Sequence, residues 1–395
     1  MKLASRLSTL KKQAGAVTGA NSTALKANVK PSEPNKKKNN WGKDKHFAER
    51  AGGRVIAPGL IKIDRRLSLT STHGSVVLSG IRQRVAFSVA HQDVQAEDYL
   101  FFDTETTGLA GGTGTLAFMV GLGWIEGNEL CIRQYVISAF SAEEAMLEEL
   151  QPIFESARCL VSFNGKSFDA PLLTTRFQLK GLIPSFESKP HLDLLHPLRR
   201  AYRQRWDNCR LISSEEKLLN FRRENDLPGA EAPEAWLSYL REGHMHKLLG
   251  IAEHNYWDIV SLVALIPALS QSYQTPEIFA ADVGAIAAFY AQNGDRAKAL
   301  AVLETSQSEL DHKALHLLAR LYRYKKCWAE AILIWRGLAS DGCVQSAEHL
   351  SKYYEHVGKD YQQASLYAQC LPTGIERERR IQRVSQAMQQ GRLAF

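Results

Sequence analysis

The sequence predicts an α/β or α+β domain, a sheet with helices packed over it, followed by an all-α region of repeated helix pairs. Three observations carry that expectation. Short apolar runs split by turns begin near residue 96, they pass into strand–helix alternation, and after about residue 271 an aromatic and alanine pattern recurs at a fixed interval. At 395 residues the chain exceeds one typical domain, so two folded units plus a tail is the starting expectation.

Residues 1–50 hold twelve Lys/Arg against three Asp/Glu, a net +9, which leaves −2 for the rest of a chain whose total is +7. This stretch is rich in Lys, Asn, Ser, Thr and Ala, with a Lys36-Lys37-Lys38 cluster. It has too little apolar surface to order itself and reads as a basic disordered tail. Its charge either tracks phosphates or simply solvates a leader. Residues 51–95 form a lead-in with no assigned structure. Residues 99–102 read as a buried strand, residues 116–122 as a second, and residues 130–137 alternate enough for a third. Ser141 followed by Glu144 reads as a capping box opening a helix to about Phe154, and residues 160–163 make a fourth strand. These elements place a domain at residues 96–270.

Beyond it, Tyr290, Tyr322 and Tyr354 recur at intervals of 32, and Ala299, Ala331 and Ala364 follow them by nine, nine and ten residues. Each unit reads as a helix ending in the aromatic, a polar turn, and a second Ala-rich helix. The pattern over residues 271–395 resembles tetratricopeptide-type repeats, with an ordinary helical bundle as the alternative. Such repeats imply a protein partner at their surface.

Composition narrows the class. Hydrophobic residues make up 45% and charged residues 23%, which excludes wholesale disorder. The longest apolar runs, such as residues 259–263, fall far short of the roughly 20 residues that span a bilayer. Residues 1–25 lack the apolar core of a cleavable leader. Six cysteines lie far apart with no C-x-x-C pair, neither a zinc pattern nor a secreted disulfide framework. A soluble, cytoplasmic protein is expected.

The chemistry centres on Asp103-Thr104-Glu105-Thr106-Thr107-Gly108, directly after the first strand. Residues two apart in an extended segment project to the same side, so Asp103 and Glu105 can converge on a hard divalent cation. A D-x-E pair alone is equally a solvated strand end. Two further acids strengthen the reading: Asp169, where a helix opens after the fourth strand, and Asp258, in a strongly apolar helix that also carries His254 one turn earlier. Four acids on two strand ends and two helices can hold two Mg²⁺ or Mn²⁺ ions roughly 3.5–4 Å apart, suited to in-line phosphoryl displacement. His254 would then deprotonate the attacking water.

Asp103, Glu105, Asp169 and Asp258, in that order, resemble the DEDD 3′–5′ exonucleases of ribonuclease H-like fold. The segments YLFFDTETTGLAGGTGTLAFMVGLG, LVSFNGKSFDAPLL, CRLISSEEKLL, RRENDLPG and HNYWDIVSL are similar to the bacterial YprB-type ribonuclease H-like family, over roughly residues 95–270. The resemblance implies a mixed sheet flanked by helices, a metal-dependent nuclease, and single-stranded DNA or RNA as partner. It covers neither the tail nor the helical repeats. One departure stands out. DEDD enzymes carry either His with four residues before the last Asp or Tyr with three; here His254 occupies the tyrosine spacing, and Tyr256 points elsewhere on the helix.

Other residues support this reading with alternatives open. Thr106 and Gly108 are placed to contact substrate. Asn164 could bond a scissile strand and Lys166 a phosphate, or both could be turn residues. Residues 199–223 carry Arg199, Arg200, Arg203, Arg205, Arg210, Lys217, Arg222 and Arg223. Leu195, Leu198, Tyr202 and Trp206 there form a core stripe, leaving the arginines outward as a phosphate-binding rim or a solvated face. Asp193 reads as a strand-end or supporting group. The Gly111–Gly114 run precedes a strand, which excludes a P-loop. The competing functions are a nucleic-acid-binding module and a scaffold; neither would need all four acids.

Overall fold

In a computed structural model of the chain, residues 41–108, 114–306 and 310–392 are described. Residues from Trp41 onward form one compact unit. The remainder of the expected tail, and the Gly111–Thr113 part of the glycine run, lie outside the described residues.

A seven-stranded sheet has the order β1-β2-β7-β6-β5-β8-β9. Its strands are β1 (Gly53–Ala57), β2 (Leu60–Ser68), β5 (Tyr99–Thr106), β6 (Ala117–Glu126), β7 (Glu129–Ile137), β8 (Cys159–Ser162) and β9 (His191–Asp193); β3 (Thr72–His73) and β4 (Val76–Val77) pair as a separate ribbon. β1, β2, β7, β6 and β5 are antiparallel neighbours, whereas β5, β8 and β9 run parallel, so the sheet is mixed. Helices cover both faces, and for that reason β6 is buried at nearly every position instead of alternating.

The helices are α1 (Trp41–Ala51), α2 (Glu143–Ser156), α3 (Asp169–Leu179), α4 (Leu195–Tyr202), α5 (Ala232–Glu242) and α6 (His246–Gln274). Three features differ from the sequence expectation. Residues 41–50, read as the end of a disordered tail, form α1: Phe47 is fully buried, and buried Asp44 accepts hydrogen bonds from Ser138 Oγ and Tyr239 OH, both at 2.8 Å. A composition averaged over fifty residues hid the short apolar face of Phe47, Ala48 and Ala51. Residues 53–68 supply two strands, with Leu60, Ile61 and Ile63 buried, where the lead-in had no structure assigned. The capping box does not form. A 3₁₀ turn at Phe140–Ala142 leads into α2, and buried Glu143 instead binds the Arg176 guanidinium of α3.

α6 crosses the sheet and is buried over every residue from Asp258 to Ser270, as a helix apolar all round must be. Its end packs into an all-helical region: α7 (Val283–Gln292), α8 (Arg296–Glu304), α9 (His312–Tyr324), α10 (Trp328–Ser340), α11 (Val344–His356), α12 (Tyr361–Gln369) and α13 (Ile375–Arg392). The recurring tyrosines fall on α7, α9 and α11. Ala299, Ala331 and Ala364 fall on α8, α10 and α12 and are fully buried, small residues that let paired helices approach closely. One apolar core runs from beneath the sheet into these helices. Among the described residues no helix is long and apolar enough to cross a membrane, and all six cysteines are free.

Candidate active site

The interior strand β5, between β6 and β8, delivers Asp103 and Glu105 to one side of the sheet. A bulge between Glu105 and Thr106 shifts the register against β6, turning the strand end. Thr107 and Leu116 then close the following hairpin through Thr107 N to Leu116 O and Leu116 N to Thr107 Oγ1, at 2.9 and 3.0 Å. After β8 the chain turns at Gly165, where a Cβ would lie 2.4 Å from Ser162 Oγ and 3.1 Å from Asp169 Oδ2. Only glycine allows so tight a turn, which delivers Asp169 at the start of α3; the Thr104 hydroxyl donates to its Oδ1. Buried Asp193, at the end of β9, accepts from the backbone N–H groups of Asn164 at 2.8 Å and Lys166 at 3.1 Å. It is the anchor of this turn.

α6 supplies the remaining groups. His254 and Asp258, one turn apart, bring Nε2 and Oδ2 to 3.5 Å. Ligand atoms of Glu105, His254 and Asp258 lie within 4.8 Å of one another, close enough to hold one metal ion. His254 Nδ1 stands 2.8 and 2.9 Å from the two oxygens of Asp226. Arg223 Nη1 also lies 3.1 Å from Nδ1, but one ring nitrogen cannot accept from Arg223 and donate to Asp226 together. The shorter carboxylate contacts favour donation to Asp226, which leaves the Nε2 lone pair facing the acids in the neutral ring. The Arg223 side chain is only 2% exposed; Nη2 bonds Glu215 Oε1 at 2.5 Å and Asp258 Oδ1 at 2.6 Å. Fully buried Glu215 sits on a single π-helical turn, Glu215–Leu219.

Electrostatically the cluster is overloaded with negative charge. Withdrawal from solvent, and then the charges of Asp258, Asp169 and Glu105, hold the Asp103 carboxyl well above the usual range; a hydrogen bond from Asn255 opposes this. Glu105 is raised likewise by burial, Asp258 and Asp169, with Arg223 opposing. Burial pushes Asp169 up to about 6 against the Thr104 hydrogen bond. Burial disfavours the Arg223 cation, yet Asp258 and Glu215 hold its pKa above the ordinary value. A group of oxygen donors that resists ionising without a countercharge fits a hard divalent cation.

A pH dependence follows. A carboxyl whose folded pKa is raised stabilises the metal-free fold below its unfolded pKa, and that contribution is lost as pH rises through the folded value. For Asp169 the window runs from 3.8 to about 6. A cation must displace those protons, so the rise in Tm on adding saturating Mg²⁺ should be small near pH 5 and grow toward pH 7. A Mg²⁺-induced shift independent of pH would remove the carboxylates from the metal site.

The structure thus brings Asp103, Glu105, Asp169, His254 and Asp258 into one cluster. Thr106 and Gly108 lie at its rim, Thr106 Oγ1 donating to Gly108 O at 2.9 Å. Asn164 is a turn residue with φ +67°, and the Lys166 side chain is exposed beside it. The arginine rim is different. Arg200 bonds Tyr273 OH at 3.0 Å and covers the Phe289 ring at 4.3 Å, fifteen residues beyond Asp258 on α6, or about 22 Å along the axis. It braces α4 against the helical region, and its neighbour Arg199 is exposed on the same helix. Arg223, expected to face outward, is buried, because Glu215 and Asp258 compensate its charge where the apolar stripe ended. Tyr256 does point elsewhere, under the Arg65 guanidinium at 4.6 Å. Sequence reasoning missed Glu215, Asp226, Asn255 and Gln134 as site residues. For Glu215 and Asp226 the signal within reach was the run of charges between residues 215 and 226, interrupted by the apolar Leu218-Leu219 and ended by Leu227.

The fold defines the class. Residues 100–270 match the RNase_H superfamily, and the chain carries an RNase H-like domain, a mixed seven-stranded sheet flanked by helices and followed by an all-helical region. The chain is 30% identical over 277 residues to the uncharacterized protein YprB of Bacillus subtilis (strain 168), a match that takes in 67% of this chain and 66% of that protein. Among solved structures it is similar to the family B DNA polymerase of Pyrobaculum calidifontis (14% identity, TM-score 0.36, 57% of this chain and 29% of the polymerase). A second is the zinc-bound E. coli ExoI–ssDNA complex (15% identity, TM-score 0.28, 42% of this chain and 45% of that one).

Proposed function

We propose that this protein is a metal-dependent nuclease, a 3′–5′ exonuclease of DEDD type that hydrolyses phosphodiester bonds of single-stranded DNA or RNA. The observation that carries the reading is the convergence of Asp103 and Glu105 from β5, Asp169 from α3 and Asp258 from α6 on a site with too little positive charge of its own. These four would hold two Mg²⁺ or Mn²⁺ ions, which supply Lewis-acid charge at the phosphoryl oxygens. His254 Nε2 receives the proton of the attacking water, while Asp226 fixes the tautomer and steadies the imidazolium that results. A dedicated carboxylate on Nδ1 is hard to explain for a pure binding module or scaffold, which has no proton to move. Exposed Lys166 and the rim at Thr106 and Gly108 are the nearest groups for the substrate backbone.

The deciding experiment is incubation of purified protein with 5′-end-labelled single-stranded DNA and RNA, with Mn²⁺ or with EDTA. Stepwise shortening only with Mn²⁺ supports the reading; intact substrate under all conditions refutes it. Replacing His254 with Ala should lower turnover on the order of 10²–10⁴-fold while Mn²⁺ binding persists. Near-parental turnover would remove His254 from proton transfer.

Residues 1–40 carry nine Lys/Arg against one Glu. Deleting them should weaken single-strand affinity and flatten its logarithmic salt dependence by about 0.7 for each phosphate that the tail neutralises, with turnover at saturation unchanged. An identical slope would place the tail off the substrate.

A further inference from the structure

Across the sheet, Asp103 on β5, Gly121 on β6 and Gln134 on β7 stand directly opposite one another in register. Asn255 of α6, fully buried, lies over the middle of that row. Its Nδ2 donates to Asp103 Oδ2 at 2.9 Å, and its Oδ1 accepts from Gln134 Nε2 at 2.9 Å. Gln134, also fully buried, spends its second Nε2 proton on Ala252 O at 2.7 Å. Both protons of that nitrogen are therefore committed to acceptors, so the Asn255 amide cannot flip and its donor end must face Asp103. The amide fits only because position 121 is bare. A Cβ there would stand 2.2 Å from Asn255 Oδ1, 2.8 Å from Cγ and 2.9 Å from Nδ2. Nor can the amide swing aside, since it is pinned at both ends.

We propose that Asn255 is a positioning residue for Asp103, locked by Gln134 and admitted by Gly121, so that Asp103 offers Oδ1 alone to the cation. The inference rests on the nuclease reading for the cation itself. A carboxylate held through one oxygen cannot rotate to chelate, and α6, which carries His254 and Asp258, is tied to β5 at the distance the site requires. Asn255 does not touch the reacting atoms; it acts through Asp103.

The test is direct titration of the full-length protein with Mn²⁺, following free aqueous Mn²⁺ by electron paramagnetic resonance, with thermal melts alongside. Asn255→Ala and Gly121→Ala should each weaken Mn²⁺ binding on the order of 10–100-fold, with kcat falling more than KM changes. If Gly121 is bare only to admit the amide, the double variant should bind Mn²⁺ within about twofold of Asn255→Ala, because the clash has gone. A purely structural residue would move the melt and leave Mn²⁺ affinity alone. Folded Asn255→Ala binding Mn²⁺ as tightly as the parent overturns the proposal. Should that variant not fold, Asn255→Leu, of similar size and without a donor, decides in the same way. A parent that binds no Mn²⁺ overturns the nuclease reading and this inference together. Parental binding kept in the variants overturns the inference alone.

Discussion

Asp169→Asn should abolish metal-dependent hydrolysis, lowering turnover on the order of 10³-fold or more, and at the same time raise the melting temperature of the metal-free protein at pH 7. The two effects have one origin. Asp169 is pushed up to about 6 by burial, and its charge raises the proton affinity of Asp103 and Glu105. A neutral amide of the same shape removes that penalty together with a cation ligand, the familiar opposition between stability and function at a site of like charges. Ala at Asp103, Glu105, Asp169 or Asp258 should each give an inactive, folded protein. Near-normal turnover in any one of these variants would strike that residue from the cation site. A lower metal-free melting temperature for Asp169→Asn would mean that its charge is compensated in the fold.

The second large effect is on stability. Arg223→Ala leaves fully buried Glu215 without a countercharge, its Oε1 held only by the Ser261 hydroxyl, and should cost about 3–5 kcal/mol, the loss typical when one partner of a buried ion pair is removed. Arg223→Lys should recover little, because an ammonium cannot span Glu215, Asp258 and the His254 carbonyl as the planar guanidinium does. Combining Arg223→Met with Glu215→Gln should restore most of the stability and none of the activity, since Asp258 stays without its bond at Oδ1. Chemical denaturation of the four proteins measures this. Equal midpoints for parent and Arg223→Ala would show that Glu215 reaches solvent or another donor.

How far the site was legible depends on which residues signal within a local window. Asp103 and Glu105 sit two apart at the end of an apolar strand, and His254 and Asp258 sit four apart on an apolar helix; both periodicities are backbone properties that short segments display. The loop that orients His254 has no periodicity. Asp226 and Arg223 look like solvated charges in a polar run until the fold places His254 against the first and Asp258 and Glu215 against the second. The arginines were read alike because sequence reports charge and not its compensation: Arg223 is buried by two carboxylates, whereas Arg200 is held by a tyrosine hydroxyl and an aromatic ring in another part of the molecule. The sheet was underestimated for a related reason. β1 pairs with β2, and β2 completes the antiparallel edge by pairing with β7, a pairing of residues 60–68 with 129–137 that no window covers.

By itself the sequence determined the alternation of strands and helices, the order of the four acids and the helix-pair periodicity, all of which follow from spacings of a few residues and the burial of apolar side chains. Only the tertiary structure decided which charges meet. Asp226 on His254, Arg223 between Glu215 and Asp258, and Asn255 between Asp103 and Gln134 are hydrogen bonds across 8 to 152 residues of chain. Their physical basis is the cost of leaving a buried polar group unpaired, a constraint that acts on distance in space and leaves no periodic trace along the chain.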